Sequence, residues 1–345
     1  MRLGLALFVA TVTLLVPTLA WAAFDVPCDP GNGRSVAIFY YAWYGTPTSD
    51  GAWEHWGQGG NEPPQAIGSN FYPARGPYSS GRQSIVRAQM REIAGTGVDT
   101  VIVSWWGPGS AEDARLPSVV AAAQSSGLHV ALHVEPWAGR TPQAVADALR
   151  SFTSLGIRDA YVYNSAASPD ADWRSALSGL SGVRVFANTP LAGKALKGGF
   201  QGIYTYDVLV YDGSSFARMC ENARQVGLLC APSVGPGFDA RRATGDPRVR
   251  ERKDGRWYDH MWQAAVRASP DLVTITSYNE WHEGTQIEPA RASNGLYACY
   301  DGAWGLDGRR AQRAYIDRTS YWVGRLRGAL ATPLRAGTKT STKSQ

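Results

Sequence analysis

Apolar and polar blocks follow one another along the chain in a pattern that predicts alternating strands and helices. Short runs rich in Val, Ile, Leu and aromatic residues are typical of buried strands. Amphipathic segments ending near a glycine are typical of helices. The predicted strands are 35–44, 99–107, 128–137, 158–164, 183–188, 202–210, 228–234 and a last one that begins at Leu272. The predicted helices are 82–97, 116–126, 141–155, 171–180, 214–226, 257–268 and 308–330.

Eight apolar strands separated by helical segments favour a (β/α)8 TIM barrel, a single domain with long βα loops that spans 35–330. Parallel strands covered on both faces have this near-continuous apolar character. An open doubly wound sheet is the alternative, but no Gly-x-Gly-x-x-Gly follows the first strand and no P-loop is present. In a barrel, catalytic residues lie at the C-terminal ends of the strands.

The last predicted strand carries its ionisable residues at its own C-terminal end. The apolar run from Leu272 leads into Asn279, Glu280, His282 and Glu283. Three residues along an extended strand would separate the two glutamates by roughly 10 Å on opposite faces. Both can address one ligand only if the chain turns after Asn279, and Gly284 predicts that turn.

The N-terminus predicts export. Residues 1–22 combine Met1-Arg2, an apolar segment from Leu3 to Leu19, and Ala20-Trp21-Ala22, which is the pattern of a signal peptide cleaved after Ala22. The alternative is an uncleaved membrane anchor. We expect a secreted or periplasmic protein with no stable membrane association after cleavage. Residues 23–34 are predicted to be irregular, and 331–345 to be a disordered basic tail.

The four cysteines of an exported chain predict two disulfides in one of three possible connectivities, and their positions favour Cys220–Cys230 with Cys28–Cys299. No Cys-x-x-Cys spacing is present, which argues against a structural zinc site. The net charge of +5 is mild and accompanies no nucleic-acid fold signature, so we expect a solvated basic surface and no nucleic-acid partner.

The chain is rich in aromatic residues, with 13 Trp and 16 Tyr. Aromatic faces pack against the C–H surface of sugar rings, while carboxylates and amides bind the hydroxyls. Glycosidic cleavage uses two carboxyl groups, one protonated and one ionised. Glu280 and Glu283 are the candidate pair, an oligosaccharide or polysaccharide is the expected partner, and we expect a monomer.

Four stretches resemble glycoside hydrolase family 99, the endo-α-1,2-mannosidases and mannanases. They are 278–289 (YNEWHEGTQIEP), 101–107 (VIVSWWG), 133–141 (HVEPWAGRT) and 232–237 (PSVGPG). The resemblance runs from about Val36 to Pro289, and its first string is highly specific.

This resemblance implies a retaining, metal-independent endo-hydrolase on a (β/α)8 barrel, without a cofactor. Glu280 would remove the proton from the substrate's own 2-hydroxyl, whose oxygen attacks the anomeric carbon to give a 1,2-anhydro sugar. Glu283 would protonate the leaving oxygen and then activate water. We therefore expect a raised pKa for Glu283, supplied by Trp281 and partial burial, and an ionised Glu280 held by hydrogen bonds from Asn279.

The resemblance also implies roles for flanking residues. Trp105 would line the subsite beyond the cleavage point, Glu135 would bind hydroxyls there, and Tyr41 and Tyr206 would form walls of the −1 site. Arg242 would approach the reacting sugar, although a solvated position in a shortened basic loop is an equal alternative. His282 is expected to orient a carboxylate, His133 to be a core histidine, and Gln286 and Glu288 to support the turn.

The stretch 135–140 departs from the family pattern. Where E-P-Y-K-G-R is expected, the chain has Trp137 and Ala138, so a tyrosine and a sugar-contacting lysine are replaced. These changes bear on which glycan is accepted. Two alternatives therefore stay open: a hydrolase of another α-linked glycan, and a carbohydrate-binding or surface-polysaccharide assembly protein without hydrolysis. Retention of both glutamates argues against the second.

Overall fold

The computed structural model describes residues 34–292 and 295–328. The predicted signal peptide, residues 23–33, Cys28 and the predicted tail lie outside the described residues, and those assignments stay predictions. Among the described residues, no helix combines the length and the apolar character needed to cross a membrane.

A parallel sheet forms the centre of the fold. Its strands are β1 (Ser35–Tyr40), β2 (Thr100–Trp105), β3 (His129–Val134), β4 (Asp159–Val162), β5 (Arg184–Asn188), β6 (Gly202–Tyr204), β7 (Leu229–Ala231), β8 (Ser233–Val234) and β11 (Leu272–Ile275). They lie in the order β7-β6-β5-β4-β3-β2-β1-β11-β8. A two-stranded antiparallel ribbon, β9 (Phe238–Asp239) with β10 (Val249–Arg250), lies outside the sheet.

The sheet closes because both ends of this order fall on one continuous stretch, 229–234. Pro232 has no backbone N–H and separates β7, which pairs with β6, from β8, which pairs with β11. The carbonyl of Pro232 still accepts a hydrogen bond from Thr274 N at 3.0 Å. Counting β7 and β8 as one interrupted strand gives the eight strands of a barrel.

Each barrel strand is followed by a helix on the outside. These are α2 (Gln83–Ala94), α3 (Ala111–Gln124), α4 (Pro142–Phe152), α5 (Asp170–Ser178), α6 (Ala192–Lys197), α7 (Phe216–Gln225), α9 (Arg256–Ala268) and α11 (Ala314–Gly328). Three short helices lie in loops or before the last helix: α1 (Pro47–Asp50), α8 (Arg241–Thr244) and α10 (Gly308–Gln312). The (β/α)8 barrel is thereby confirmed.

Local sequence explains where several helices begin. Ser110 caps α3 by accepting a hydrogen bond from Asp113 N, and Thr141 caps α4 by accepting one from Ala144 N. Pro142 occupies the first turn of α4, where its missing N–H costs nothing.

Several predicted elements differ from those of the structure. The sixth strand ends at Tyr204 rather than at residue 210, and the seventh is split at Pro232. Helix α6 occupies a segment for which no helix was predicted, because its six residues are too few for a clear period. The last predicted helix is divided at Arg313, and residues 329 and 330 lie outside the described part of the chain.

Cys220 of α7 and Cys230 of β7 form a disulfide, as predicted. Cys299 has no disulfide partner among the described residues. Because Cys28 lies outside them, the second predicted pair stays a prediction.

The loop between β1 and α2 packs over the C-terminal ends of the strands. Trp56 is fully buried, stacks on Tyr44 at 4.1 Å and donates its Nε1–H to Tyr78 O. Arg115 of α3 donates to Asp50 Oδ1 at 3.0 Å from the side of the barrel. These contacts hold the loop in place and bring His55 to the mouth of the barrel.

Candidate active site

A cavity of about 540 Å³ lies at the C-terminal end of the barrel. Side chains that follow β1, β2, β3, β4, β6 and β11 converge there, because parallel strands end on one face of a barrel. We call it the aromatic cavity. Its walls comprise Tyr41, Trp43, His55, Gln58, Trp106, Glu112, His133, Glu135, Tyr163, Tyr206, Thr244, Glu280, His282 and Glu283.

Residues 277–288 fold back on themselves after β11, and we call this segment the 277–288 turn. Ser277 N donates to Thr285 O at 2.9 Å, and Glu288 N donates to Tyr278 O at 2.8 Å. Gly284 has a φ of 64°, the left-handed conformation in which a side chain would be strained. The turn predicted from Gly284 is confirmed, and it places both Glu280 and Glu283 on the wall of the aromatic cavity.

Glu280 is only 2 % exposed, and its two carboxylate oxygens differ in their hydrogen bonding. Oε1 accepts a hydrogen bond from His282 N at 3.1 Å, whereas Oε2 has no hydrogen-bond partner among the described residues. Burial raises the pKa of Glu280 well above its ordinary value, and the charge of Glu135 adds to the rise. Backbone N–H donors from His282 and Glu283 act in the opposite direction by stabilising the ionised form.

Glu283 lies in a more acidic neighbourhood. Burial raises its pKa well above the ordinary value, and the charges of Glu280 and Asp207 raise it further. Tyr206 donates its hydroxyl to Glu283 Oε2 at 3.3 Å and is itself hydrogen-bonded to the Tyr41 hydroxyl. The proton therefore favours Glu283, while the negative charge favours Glu280 with its backbone donors.

The expected causes of these pKa values are wrong in two respects. Asn279 makes no hydrogen bond to Glu280, and Trp281 donates its Nε1–H to Glu288 rather than acting on Glu283. Because burial also raises the pKa of Glu280, the expected ionised form depends on the backbone donors from His282 and Glu283.

His282 is a neutral histidine of defined tautomer. Its Nε2 lies 2.8 Å from the backbone carbonyl of His55, which only accepts, so Nε2 carries the hydrogen. Its unprotonated Nδ1 then lies 3.4 Å from Glu280 Oε1. Burial lowers the pKa of His282 to about 4, so the ring is uncharged at neutral pH. Neither atom carries a hydrogen when Glu280 is ionised, so the backbone N–H of His282, and not its ring, is the group that binds and orients Glu280 Oε1.

Asn279 is a connector and not a wall of the cavity. Its Oδ1 accepts from Tyr41 N at 2.8 Å and its Nδ2 donates to Tyr41 O at 2.9 Å. The side chain thus imitates a strand where the pairing of β1 with β11 has ended. It also donates to Tyr78 OH at 3.1 Å. The sequence also makes Asn279 a candidate substrate-binding residue, and the structure shows that both atoms of its amide are bound to the backbone of Tyr41.

Two other predicted binding residues do not line the aromatic cavity. Trp105 is 1 % exposed and donates its Nε1–H to Asp113, whereas its neighbour Trp106 is 37 % exposed and lines the cavity. Neighbouring residues of a strand face opposite ways, but this alternation stops at the strand end. Which of two adjacent residues faces the cavity beyond that point cannot be counted from the sequence. Arg242 donates to Asn61 Oδ1 and Leu296 O and lies over the ring of Tyr297. These contacts hold its side chain outside the cavity.

Tyr41, Glu135 and Tyr206 do line the cavity. Glu135 Oε1 accepts from Ser104 Oγ at 3.0 Å and lies 2.8 Å from His133 Nδ1. Tyr40, by contrast, donates its hydroxyl to Gln89 on the helix side of β1.

The site also includes residues that the sequence prediction missed. His133, expected in the core, is buried but stacks on Tyr206 at 5.2 Å and reaches the cavity wall. The ring of His55 stacks on Trp43 at 4.3 Å. Trp43 and Tyr163 follow the C-terminal ends of predicted strands, and this position is the signal in the sequence that could have identified them as cavity residues. No comparable signal marks Gln58, Glu112 or Thr244.

No group of three or more His, Cys, Asp or Glu side chains within 34–292 and 295–328 is arranged to hold a metal ion. The carboxyl groups of Glu280 and Glu283 both line the aromatic cavity, where they can exchange protons with a bound ligand.

Glu288 lies behind the cavity and is fully buried. It accepts hydrogen bonds from Tyr78 OH at 2.8 Å, Gln89 Nε2 at 2.9 Å and Trp281 Nε1 at 3.0 Å. Burial raises its pKa to about 7, with the hydrogen bond from Gln89 as the largest opposing effect. The residue ties the 277–288 turn to α2 and to the loop over the barrel.

Comparisons with known proteins agree with this geometry. The sequence model of Glycosyl hydrolase family 99 matches residues 33–328. A glycoprotein endo-alpha-1,2-mannosidase-like protein of Danio rerio is 33 % identical, over 84 % of this chain and 77 % of its own length. A glycoprotein endo-alpha-1,2-mannosidase of Xenopus laevis is 32 % identical over 81 % of this chain and 75 % of its own. The solved GH99 endo-alpha-mannosidase of Bacteroides thetaiotaomicron superimposes with a TM-score of 0.75 at 28 % identity, over 88 % of this chain and 98 % of its own.

Glu288 predicts a pH-dependent stability. Its folded pKa of about 7 is above the ordinary 4.5, so the stabilisation is full below about pH 4.5 and is lost as the pH rises through 7. Relative to Glu288→Gln, the wild type should lose about 3 kcal/mol of unfolding free energy across that range. Denaturant unfolding of both proteins from about pH 5 to about pH 8 measures this difference. The titrations of Glu280 and Glu283 are common to both proteins and cancel, so a pH-independent difference would contradict the prediction.

Proposed function

Since the chain belongs to glycosyl hydrolase family 99, we propose that it is a retaining endo-hydrolase of internal α-1,2-mannosidic linkages. Mannan and N-glycan-type chains are the proposed substrates. The observation that carries the proposal is the pair Glu280 and Glu283 on one wall of an aromatic cavity, with Glu280 Oε2 left without a partner among the described residues. The named relatives, which are glycoprotein endo-alpha-1,2-mannosidases or proteins like them, support this linkage.

The proposed first step uses the substrate's own hydroxyl as nucleophile. Oε2 of Glu280 takes the proton of the 2-hydroxyl. The electron pair left on that oxygen attacks the anomeric carbon to form a 1,2-anhydro sugar. The bond from that carbon to the leaving oxygen breaks, and the leaving oxygen takes its proton from Glu283. Charge moves from Glu280 to Glu283 without any net change in the site.

The second step reverses these roles. Glu283, now ionised, takes a proton from water, and the water oxygen attacks the anomeric carbon from the face that the leaving group vacated. The epoxide opens and its oxygen recovers a proton from Glu280. Two inversions give net retention. The causes that act on the two pKa values support these assignments, since backbone donors favour an ionised Glu280 and three neighbouring acidic groups favour a protonated Glu283.

The aromatic walls support sugar as the ligand. Trp43 and Trp106 lie with ring centroids 6.1 Å apart, and Tyr163 and Tyr206 lie 5.6 Å apart, so ring faces and edges line the cavity. Trp137, at the position that departs from the family pattern, packs on Trp105 at 5.0 Å. Ala138 beside it is exposed, so position 138 offers no long polar side chain. A hydrolase of another α-linked glycan is the second candidate because of this departure.

We also propose that the protein is exported and acts in the medium or the periplasm. The N-terminal pattern of residues 1–22 supports export, and so does the Cys220–Cys230 disulfide, since disulfides persist in oxidising compartments. The expected result is recovery of a mature protein beginning at Ala23 from culture medium or periplasm, read by N-terminal sequencing. A chain that keeps Met1 and sediments with membranes would support an anchor instead.

Replacing either glutamate should abolish most activity. Glu280→Gln and Glu283→Gln should each fold and lose on the order of 10²-fold or more in rate, because each removes a proton-transfer group. Oligosaccharide release from α-mannan measures the loss. Glu221→Gln is the matched control, since Glu221 is exposed on α7 beside Arg224 and should leave the rate unchanged. A wild-type rate in either active-site variant would exclude the assigned roles.

Product sizing separates the candidate functions. The purified protein is incubated with yeast mannan, a glucosylated high-mannose glycan, an unrelated α-glucan, and mannan whose 2-hydroxyls have been methylated. Internal fragments from either of the first two, and none from the methylated polymer, are expected for the proposed linkage and mechanism. Cleavage of the α-glucan alone would favour the second candidate. No product from any polymer would favour a carbohydrate-binding protein.

A further inference from the structure

Arg252 lies against the 277–288 turn from outside the aromatic cavity. It lines a second cavity of about 290 Å³ together with Gly284 and Tyr300, and the two cavities share no lining residue. The residue therefore reaches the catalytic segment without being able to touch a substrate in the first cavity.

The guanidinium of Arg252 is held in an aromatic cage. Its central carbon lies 4.7 Å from the ring centroid of Phe71, 4.9 Å from that of Tyr300 and 4.6 Å from that of Tyr315. Nε and Nη1 are buried and have no hydrogen-bond acceptor among the described residues. Ring faces attract a cation in this arrangement, and the cage fixes the plane of the group.

The remaining nitrogen is aimed at the turn. Nη2 donates to Gly284 O at 2.9 Å and to Gln286 O at 2.6 Å. Gly284 directly follows Glu283, whose own carbonyl accepts a hydrogen bond from Asp239 N at 2.7 Å. The backbone is thus tied at Glu283 by Asp239 and immediately after it by Arg252.

Glu283 depends on these backbone ties more than Glu280 does. Glu280 donates its N–H to Ser277 Oγ at 2.8 Å, and its Oε1 is bound by His282 N. The side chain of Glu283 has the Tyr206 hydroxyl as a donor at the longer distance of 3.3 Å. Movement of the backbone at Gly284 would therefore displace Glu283 first.

We propose that Arg252 is a positioning residue that holds Glu283 in place as the general acid. The proposal rests on the proposed function, because it presumes that Glu283 protonates the leaving oxygen. A misplacement of about 1 Å costs on the order of 10²-fold when a proton must be delivered to one atom. Arg252 acts on the catalytic step through the backbone of Gly284 and Gln286.

A leaving-group comparison tests this role. Two substrates share the same α-mannosyl donor, one with a sugar leaving group and one with fluoride, which departs without a proton. For Arg252→Gln, kcat/KM should fall about 10- to 100-fold on the sugar-leaving substrate and less than about 3-fold on the fluoride, with KM little changed. Arg252→Lys should show the same split to a smaller extent. Its ammonium can still donate hydrogen bonds, which limits the loss, but it lacks the planar fork of a guanidinium.

Arg250→Gln is the matched control. Arg250 also lies over an aromatic ring, that of Trp257 at 4.5 Å, and donates to a backbone carbonyl, that of Leu209. It makes no hydrogen bond to the 277–288 turn among the described contacts, so both substrates should be cleaved at wild-type rates. Melting temperatures establish that each variant is folded at the assay temperature.

The outcomes separate this inference from the proposed function. Glu283→Gln must show the leaving-group split; if it does not, the proposed function fails. If Glu283→Gln shows the split while Arg252→Gln slows both substrates equally or neither, the positioning role is wrong. Should Arg252→Gln fail to fold, Arg252→Lys decides by the same comparison.

Discussion

The hydrogen bonds between the 277–288 turn and the end of β1 are the constraint on which the site depends. β11 pairs with β1 up to Ile275, and beyond that point the amide of Asn279 continues the pairing by binding both the N–H and the carbonyl of Tyr41. Tyr278 N donates to Phe39 O at 2.8 Å in the same region. A short polar side chain thus replaces strand pairing where the chain begins to turn, and both glutamates keep a fixed position relative to the barrel.

Burial of acidic groups is the energetic cost of this arrangement. Glu280, Glu283 and Glu288 all have raised pKa values, and burial is the first cause for each. The structure offsets this cost differently at each carboxyl group: backbone donors at Glu280, one tyrosine hydroxyl at Glu283, and three side-chain donors at Glu288. A carboxyl group with few donors in acidic surroundings suits an acid catalyst, and one with backbone donors suits a base.

Two residues that do not line the aromatic cavity hold the 277–288 turn, each at a different point. Glu288 ties its far end to α2 and the loop over the barrel, and Arg252 ties its middle to an aromatic cage. This division leaves the cavity wall free to present carboxyl groups and rings to a ligand. It also means that residues outside the cavity influence where Glu283 lies, because a side chain on a turn takes its position from the contacts that hold the turn.

The sequence by itself determined the barrel, the family and the carboxylate pair, because apolar periodicity, a specific string and a glycine after two glutamates are local features. The tertiary structure decided which side chains face the cavity. Trp106 rather than Trp105 lines it, Asn279 pairs with Tyr41, and Arg242 is held outside by Asn61 and Tyr297. The raised pKa of Glu280 also depends on neighbours distant in sequence. Side-chain direction beyond a strand end and the burial of a charge both arise from contacts between distant segments, and no local pattern encodes them.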